Sequence, residues 1–429
     1  MIKTEMLRSN NTTQHNRKMY RFGLLLSLLY LGTSFIADCS LLPDIIPRVL
    51  LYSFLAYGLL ITFIETRDYG LIIAPYSIWY FLFLIAAFFT VFYSPNISFL
   101  SSNFYATIIC FLITFFMSKF INDQDAFSLF CWGNVCISGI MVLLLYFTGN
   151  LQGSESERLG QDLTGNANVF GAGIMYPCVY AIWLLMFEAK DKKKRIFLIT
   201  VIILDMYAIV LSAGRKVFIG PFIFPYILFL FKQDKTGRKH AIWYSLVVVL
   251  FISVIVVVVY RIPLLYESIG IRMEQMINNI TNNGVVDQST LIRKDLRQFA
   301  LSEWLKSPII GHGFDSFKYI SGRQLGLSCY SHCNQTELLC NGGLIVTCLY
   351  YGLFVKVIWD LRKRLQIASK YICFSMAAII MEFLLDIGFV SYNLLNVQLL
   401  LMLAVLASSF DEKKRQESDN NQRYRYIKR

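Results

Sequence analysis

Ser328-Cys329-Tyr330-Ser331-His332-Cys333-Asn334-Gln335-Thr336-Glu337-Leu338-Leu339-Cys340-Asn341-Gly342-Gly343 is the stretch on which the chain turns. A polar run holding a histidine passes into a glutamate and then straight into apolar sequence. It follows the only long polar excursion in a chain that is otherwise a succession of apolar runs. Such a junction sets ionisable side chains where a loop enters a membrane-crossing helix.

Composition agrees with that reading. Of 429 residues 56% are hydrophobic, and the mean hydropathy is +0.53. A soluble domain of this size needs more polar surface, so the expected fold class is an all-α polytopic membrane protein. The 15% of aromatic residues suits a helical bundle with interfacial belts. The net charge of +12 is not a nucleic-acid signal, because the basic residues fall in short clusters between apolar runs. The ten cysteines are scattered, mostly within apolar runs, where Cys acts as a small hydrophobe. The first apolar run follows a basic, polar N-terminus and lacks a small-residue cleavage site, so it is expected to be a span.

Segments long enough to cross a bilayer fall at 20–37, 48–64, 71–93, 99–121, 126–148, 169–188, 195–213, 216–231, 241–260, 337–359, 371–391 and 395–410, twelve in all. With the N-terminus inside, the inner segments collect Lys190 and Lys192 to Arg195, then Lys232, Lys235, Arg238 and Lys239, then Arg362 to Arg364, and the basic tail beyond Lys413. That is the positive-inside pattern, with both termini cytoplasmic. Residues 1–19 read as a loose cytoplasmic tail, 20–260 as spans one to nine with an outer loop at 149–168, 261–336 as a long extracytoplasmic loop, 337–410 as the last three spans, and 411–429 as a basic cytoplasmic tail. Within the long loop, Ile292, Leu296, Phe299, Ala300 and Trp304 recur at helical spacing and predict an amphipathic helix over 291–306. Ser289 or Thr290 is its expected cap, and Pro308 follows its end.

Several ionisable residues lie where charge is costly. Arg215 and Lys216 sit in a tight turn between apolar runs, either snorkelling to the outer interface or forming an anion site. Asp205, Glu382 and Asp386 fall within spans, as counter-charges to the arginines or as an ion relay. Arg293 and Arg297 share a helix face and point either to water or to a lipid headgroup. His332 is either structural or a base. Cys329 and Cys333 beside it are candidates for a disulfide, or with His332 for three soft metal ligands without a second pair. No Walker loop, Rossmann fingerprint or aspartate-rich metal motif is present, and no inverted repeat points to a transporter.

Four segments in order resemble the Wzy-type O-antigen polymerase and O-antigen ligase superfamily. Arg158-Leu159-Gly160 followed by Gly165-Asn166-Ala167-Asn168 is similar to its first outer-loop signature, with Ala167 where proline is common. Leu211-Ser212-Ala213-Gly214-Arg215-Lys216 is similar to its Ser/Gly-Arg turn. Arg293, fifteen residues before Pro308-Ile309-Ile310-Gly311-His312-Gly313, resembles its long-loop pattern. His332-Cys333-Asn334 leading to Glu337 and Gly342-Gly343 is similar to its His-Asn helix opening, with Cys333 as the departure.

The resemblance implies a GT-C-like bundle in the bacterial cytoplasmic membrane, performing metal-independent, cofactor-free glycosyl transfer at its outer face. The donor would be an undecaprenyl-pyrophosphate-linked glycan. The acceptor would be a second lipid-linked repeat unit, as in O-antigen, capsule or exopolysaccharide synthesis, or lipid A–core in a ligase. A flippase and a chain-length regulator are the expected protein partners, and a transporter of lipid-linked glycan is the reading from a different class. Arg215 and Arg293 would stabilise the pyrophosphate and His332 would be the base. Arg297, Lys216, Arg158, Asn168 and Glu337 would bind substrate. The orientation has a direct check. Cysteines introduced as Glu155→Cys or Asp287→Cys react with an impermeant thiol probe added outside intact spheroplasts, and cytoplasmic labelling of either overturns the map.

Overall fold

The computed structural model describes residues 2–410 except 70–72, 96–102, 152–158, 161–165, 213, 232–241, 363, 365–368 and much of 244–287. The side chains of 2–16 and 215 are also outside the description, as are Arg158, the basic tail at 411–429 and most of the expected ninth span. The described residues are all helical or loop, without strands.

The helices are α1 (Ile2–Asp38), α2 (Ile45–Tyr69), α3 (Pro75–Phe89, continued by a short 3-10 turn Thr90–Tyr93), α4 (Asn103–Phe120), α5 (Gln124–Phe147), α6 (Ala167–Phe187), α7 (Lys192–Leu211) and α8 (Arg215–Phe231). After the long loop begins come α9 (Gln288–Lys306), α10 (Ser316–Leu325), α11 (Asn334–Arg362), α12 (Lys370–Leu385) and α13 (Leu395–Phe410). Six of them, α1, α2, α4, α5, α6 and α11, are long and apolar enough to cross a membrane; α3, α8 and α13 are shorter apolar helices. Together they mark the chain as a membrane protein. On α2, Leu59 and Phe63 face outward, as they would against lipid but not against water.

α6 is the most deeply buried of the six long helices and packs on α5, α7 and α8. α8 also meets α12, while α11 packs on α3, α9, α10 and α12. At one end Phe127, Trp183 and Phe374 meet edge-to-face at 5.1–5.6 Å. There Lys370 Nζ reaches Glu188 at 2.6 Å. Inside the bundle the Ser138 hydroxyl donates to Asp205 at 3.1 Å, and the Tyr176 hydroxyl donates to Glu382 at 2.9 Å.

Several expected bounds shift. α1 takes in the polar N-terminal residues, where no Pro or Gly before Gly23 interrupts a helix. The loop helix starts at Gln288, so Ser289 and Thr290 lie in its first turn rather than capping it. The expected span 371–391 ends at Leu385. The chain then turns through 386–394, because Asn334 Oδ1 accepts the Ser391 and Tyr392 amides at 3.0 and 3.3 Å in place of helical carbonyls. Asp386 accepts from Asn334 Nδ2 (3.2 Å), the Tyr351 hydroxyl (2.8 Å) and the Ser391 hydroxyl. Among the described residues, these neighbours are what hold it.

α11 is interrupted at Gly343, which has φ +61° and ψ −162°, a conformation open only to glycine. The turn 308–313 fills the gap. His312 N donates to Cys340 O at 2.9 Å and Gly313 N to Asn341 O at 2.7 Å, while Leu344 N and Ile345 N donate to Pro308 O and Ile309 O at 2.9 and 3.2 Å. The backbone approach is so close that a Cβ on Gly343 would lie 2.4 Å from the Ile309 carbonyl. Gly343→Ala is therefore expected to lose about 2–4 kcal/mol, read as a lower melting temperature of the detergent-solubilised protein. Gly352→Ala, on the same helix with open space around it, should be neutral or slightly stabilising.

Candidate functional site

The loop leading into α11 is tied down by that helix's own first turns. Glu337 accepts the Ser331 amide at 2.6 Å, and the Thr336 hydroxyl donates to the Ser331 hydroxyl at 3.0 Å. These bonds hold the chain in a tight bend, and His332 sits in the left-handed region at φ +60°. A non-glycine residue there is uncommon, although His is among the types that tolerate it. Sparsely populated backbone of this kind persists when the surroundings over-determine it, and it concentrates at functional sites.

The bend aims His332 into a cavity of about 390 Å³. Its walls are Asn168, Lys216, Val217, Ser289, Thr290, Arg293, Lys294, Arg297, Gln298, Leu301, Tyr330, His332, Gly388 and Phe389. Four of these are cationic, and no carboxylate is among them. Asn168, Lys216, and the Ser289–Thr290 pair belong to the first turns of α6, α8 and α9. Helix N-termini carry unsatisfied N–H groups and partial positive charge, so the wall chemistry is that of an anion site. The Arg297 Nε is buried without a hydrogen-bond partner among the described residues. A buried donor of that kind is costly until a ligand meets it.

α9 carries Arg293 and Arg297 to the cavity because the apolar stripe beside them is anchored. Leu296 and Ala300 are buried with Phe317 and Cys340 in a small core separate from the bundle. Lys216 comes from the opposite side, and its stem runs across Gly388, where a Cβ would lie within 2.1–2.6 Å of its side-chain atoms. The His332 ring stands 4.3 Å from that of Tyr330. Partial burial, and then the charges of Arg293, Lys216 and Arg297, push its pKa down to about 3. The imidazole is therefore neutral and able to accept a proton, but it is not the near-neutral base that a lone loop histidine leads one to expect.

Of the expected site residues, the cavity brings together His332, Arg293, Arg297, Lys216 and Asn168. Glu337 is not at the cavity. Its carboxylate is buried behind the loop and bonds Ser331 N and Asn341 Nδ2, so it positions His332 rather than touching a ligand or setting its tautomer. Arg215 opens α8 one residue before Lys216, with its side chain outside the description, and Arg158 lies outside the described residues. Ala167 occupies the first helical position of α6 behind the Asn166 cap, a place where proline is well tolerated. Cys329 and Cys333 are free thiols, and the Cys333 thiol donates to Gln335 at 3.0 Å. Tyr330, Lys294, Gln298, Gly388 and Phe389 were not singled out by the sequence. Tyr330 and Lys294 were legible as neighbours of His332 and Arg293, whereas Gly388 and Phe389 come from a turn that the sequence read as span. Comparison with protein-family models finds no match, and comparison with curated proteins finds none either.

The depressed His332 pKa gives a pH signature. Its folded value lies below the unfolded 6.5, so the unfolded chain binds more protons between about 6.5 and 3. His332 thus costs stability as pH falls through that window and contributes nothing above it. Wild type should lose more stability than His332→Gln between about pH 6.5 and 5, measured as the shift in thermal midpoint. Equal shifts in the two proteins contradict the depressed value.

Proposed function

We propose that the chain is a polysaccharide polymerase of the Wzy type, joining undecaprenyl-pyrophosphate-linked oligosaccharide repeat units at the outer face of the cytoplasmic membrane. The observation that carries this is the cavity in which Lys216, Arg293, Lys294 and Arg297 surround one neutral histidine, the four being the charged residues among the described ones that line it. On this reading the chain crosses the membrane twelve times, with both termini inside and the 261–336 loop outside.

The donor pyrophosphate binds against Arg293, Arg297 and Lys216, with Arg215 close by in sequence. Arginine offers a permanently charged, bidentate fork that suits phosphate oxygens. The acceptor sugar hydroxyl attacks the anomeric carbon of the donor. The new carbon–oxygen bond forms on the face opposite the leaving group, the bond to pyrophosphate oxygen breaks, and the anomeric configuration inverts. The hydroxyl proton passes to His332, and the electron pair leaves on the lipid pyrophosphate, where the cations stabilise the developing charge. Burial is the larger cause of the depressed His332 pKa, and the same pyrophosphate offsets the second cause, the charges of Arg293, Lys216 and Arg297, so donor binding raises the basicity of the histidine.

Arg293→Ala and Arg215→Ala should cut chain extension by on the order of 10² or more while the protein stays in the membrane. Arg215→Lys should also be poor, because an ammonium cannot give the fork geometry. Normal long glycan in either alanine variant removes that arginine from the clamp. In His332→Ala cells a sugar-polymer gel should show single lipid-linked repeats and no ladder. Long polymer that persists but lacks its final anchor would make the chain a ligase, and an unchanged ladder would return His332 to a structural role.

A further inference from the structure

A second cavity, of about 330 Å³, lies inside the bundle between α1, α4, α5, α6 and the 393–396 segment. Its wall has an apolar part, Leu31, Phe35, Ile109, Ile113, Ile137 and Leu395, and a polar part that includes Ser34, Asp38, Asn134, Asn393 and Asn396. Polar groups are present, but two of its amides are already engaged. Asn134 Nδ2 donates to Phe130 O at 2.9 Å, and Asn393 Nδ2 donates to Asn103 Oδ1 at 3.3 Å.

A narrow cleft joins this cavity to the cationic one. It shares Lys216, Val217 and Phe389 with the cationic cavity and Ala172 and Tyr176 with the inner one, and adds Met175 and Leu385. Apart from Lys216 at its outer mouth, the cleft is walled by apolar and aromatic side chains. The three spaces therefore adjoin in series: a cationic cavity, an apolar cleft, and a cavity with both apolar and polar walls. A sugar chain gains nothing in such a cleft, since its hydroxyls would lose water without finding partners. A thin hydrocarbon chain gains by burial there. The cleft is tight, with free space of about 10 Å³, and Met175 is the unbranched side chain whose rotation widens it.

We propose that this path is the seat of the first isoprenoid units of the donor lipid, entered past Val217 and Phe389 and running between α6 and α8 into the inner cavity. The identity of the lipid rests on the polymerase reading; the site itself requires only a long apolar chain with a pyrophosphate head. Selectivity for prenyl over acyl lipids then arises inside the bundle, while the cations hold the head.

The test uses the full-length protein in nanodiscs and a prenyl pyrophosphate with a photoreactive diazirine on its second isoprene unit. Light should label peptides within 172–177 or 385–395, and excess inorganic pyrophosphate should suppress that labelling. Met175→Trp and the milder Ala172→Leu should each move the label to lipid-facing helices. Both should also lower the preference for a long-chain over a short-chain donor, measured as the ratio of kcat/KM, by about tenfold. Label on lipid-facing α2 in wild type, with normal polymerisation, overturns the path and leaves the polymerase reading intact. Absence of any pyrophosphate-suppressible label overturns the headgroup site and this proposal with it. An unchanged chain-length preference in both variants, each present at normal membrane levels, overturns the path alone.

Discussion

The break in α11 at Gly343 is the constraint on which the rest of the site depends. A helix that stops and restarts leaves carbonyls and amides without partners, and in a bilayer each such group is costly. Here the turn 308–313 supplies four backbone hydrogen bonds to the two halves of the helix. Because that turn must be present at the break, the segment before it and the segment after it are fixed in place. α9 ends at Lys306, two residues before the turn, and α10 begins at Ser316, three residues after it. The same turn region is pinned outward as well. Phe314 N donates to Thr90 Oγ1 at 2.7 Å, and Asn103 Nδ2 donates to Asp315 at 2.8 Å. Asn341 links the parts, accepting Phe317 N at 2.8 Å and donating to Glu337 at 3.3 Å. The residue that buttresses His332 is thus bonded to the residue that receives the long loop.

That rigidity is what an all-cationic cavity requires. Lys216, Arg293, Lys294 and Arg297 are like charges gathered around one cavity, and each tends to push the others apart. Left on mobile side chains and loops, they would move apart into water. Instead α9 is clamped through Leu296, Ala300, Phe317 and Cys340, and Lys216 is confined against Gly388. The fold holds these like charges together at a cost in stability, a trade usual at functional sites.

Much of this was legible in the sequence. The apolar runs of α1, α2, α4, α5, α6 and α11 carry their own length signal. The spacing of Leu296 and Ala300 gave the buried stripe of α9, and Arg293 and Arg297, four residues apart, run along its edge. What the sequence could not give was the end of α12 at Leu385. Hydropathy continues through Ile387, Phe389 and Val390, and the turn exists because Asn334, over fifty residues earlier, takes the amides of Ser391 and Tyr392. For the same reason Gly388 and Phe389 were invisible as site residues. Glu337 was found but given the wrong task, because spacing alone does not say whether a carboxylate turns to the cavity or back to its own loop.

The remaining step concerns how charge and base are linked. Burial and three cations keep His332 neutral far below its ordinary range, so in the open site it holds a proton weakly. On the proposed reaction this is an ordering device rather than a defect. An acceptor that arrives first meets an imidazole too weak to assist its hydroxyl. A donor that arrives first brings negative charge against Arg293, Arg297 and Lys216, the same groups that depress the histidine, and so raises its basicity where the hydroxyl will bind. One set of side chains then holds the leaving group and switches on the base. Wasteful attack by water is resisted by the neighbouring apolar wall at Val217, Leu301 and Phe389. On the proposed reaction the leaving group is a pyrophosphate, so the site needs charge stabilisation more than protonation.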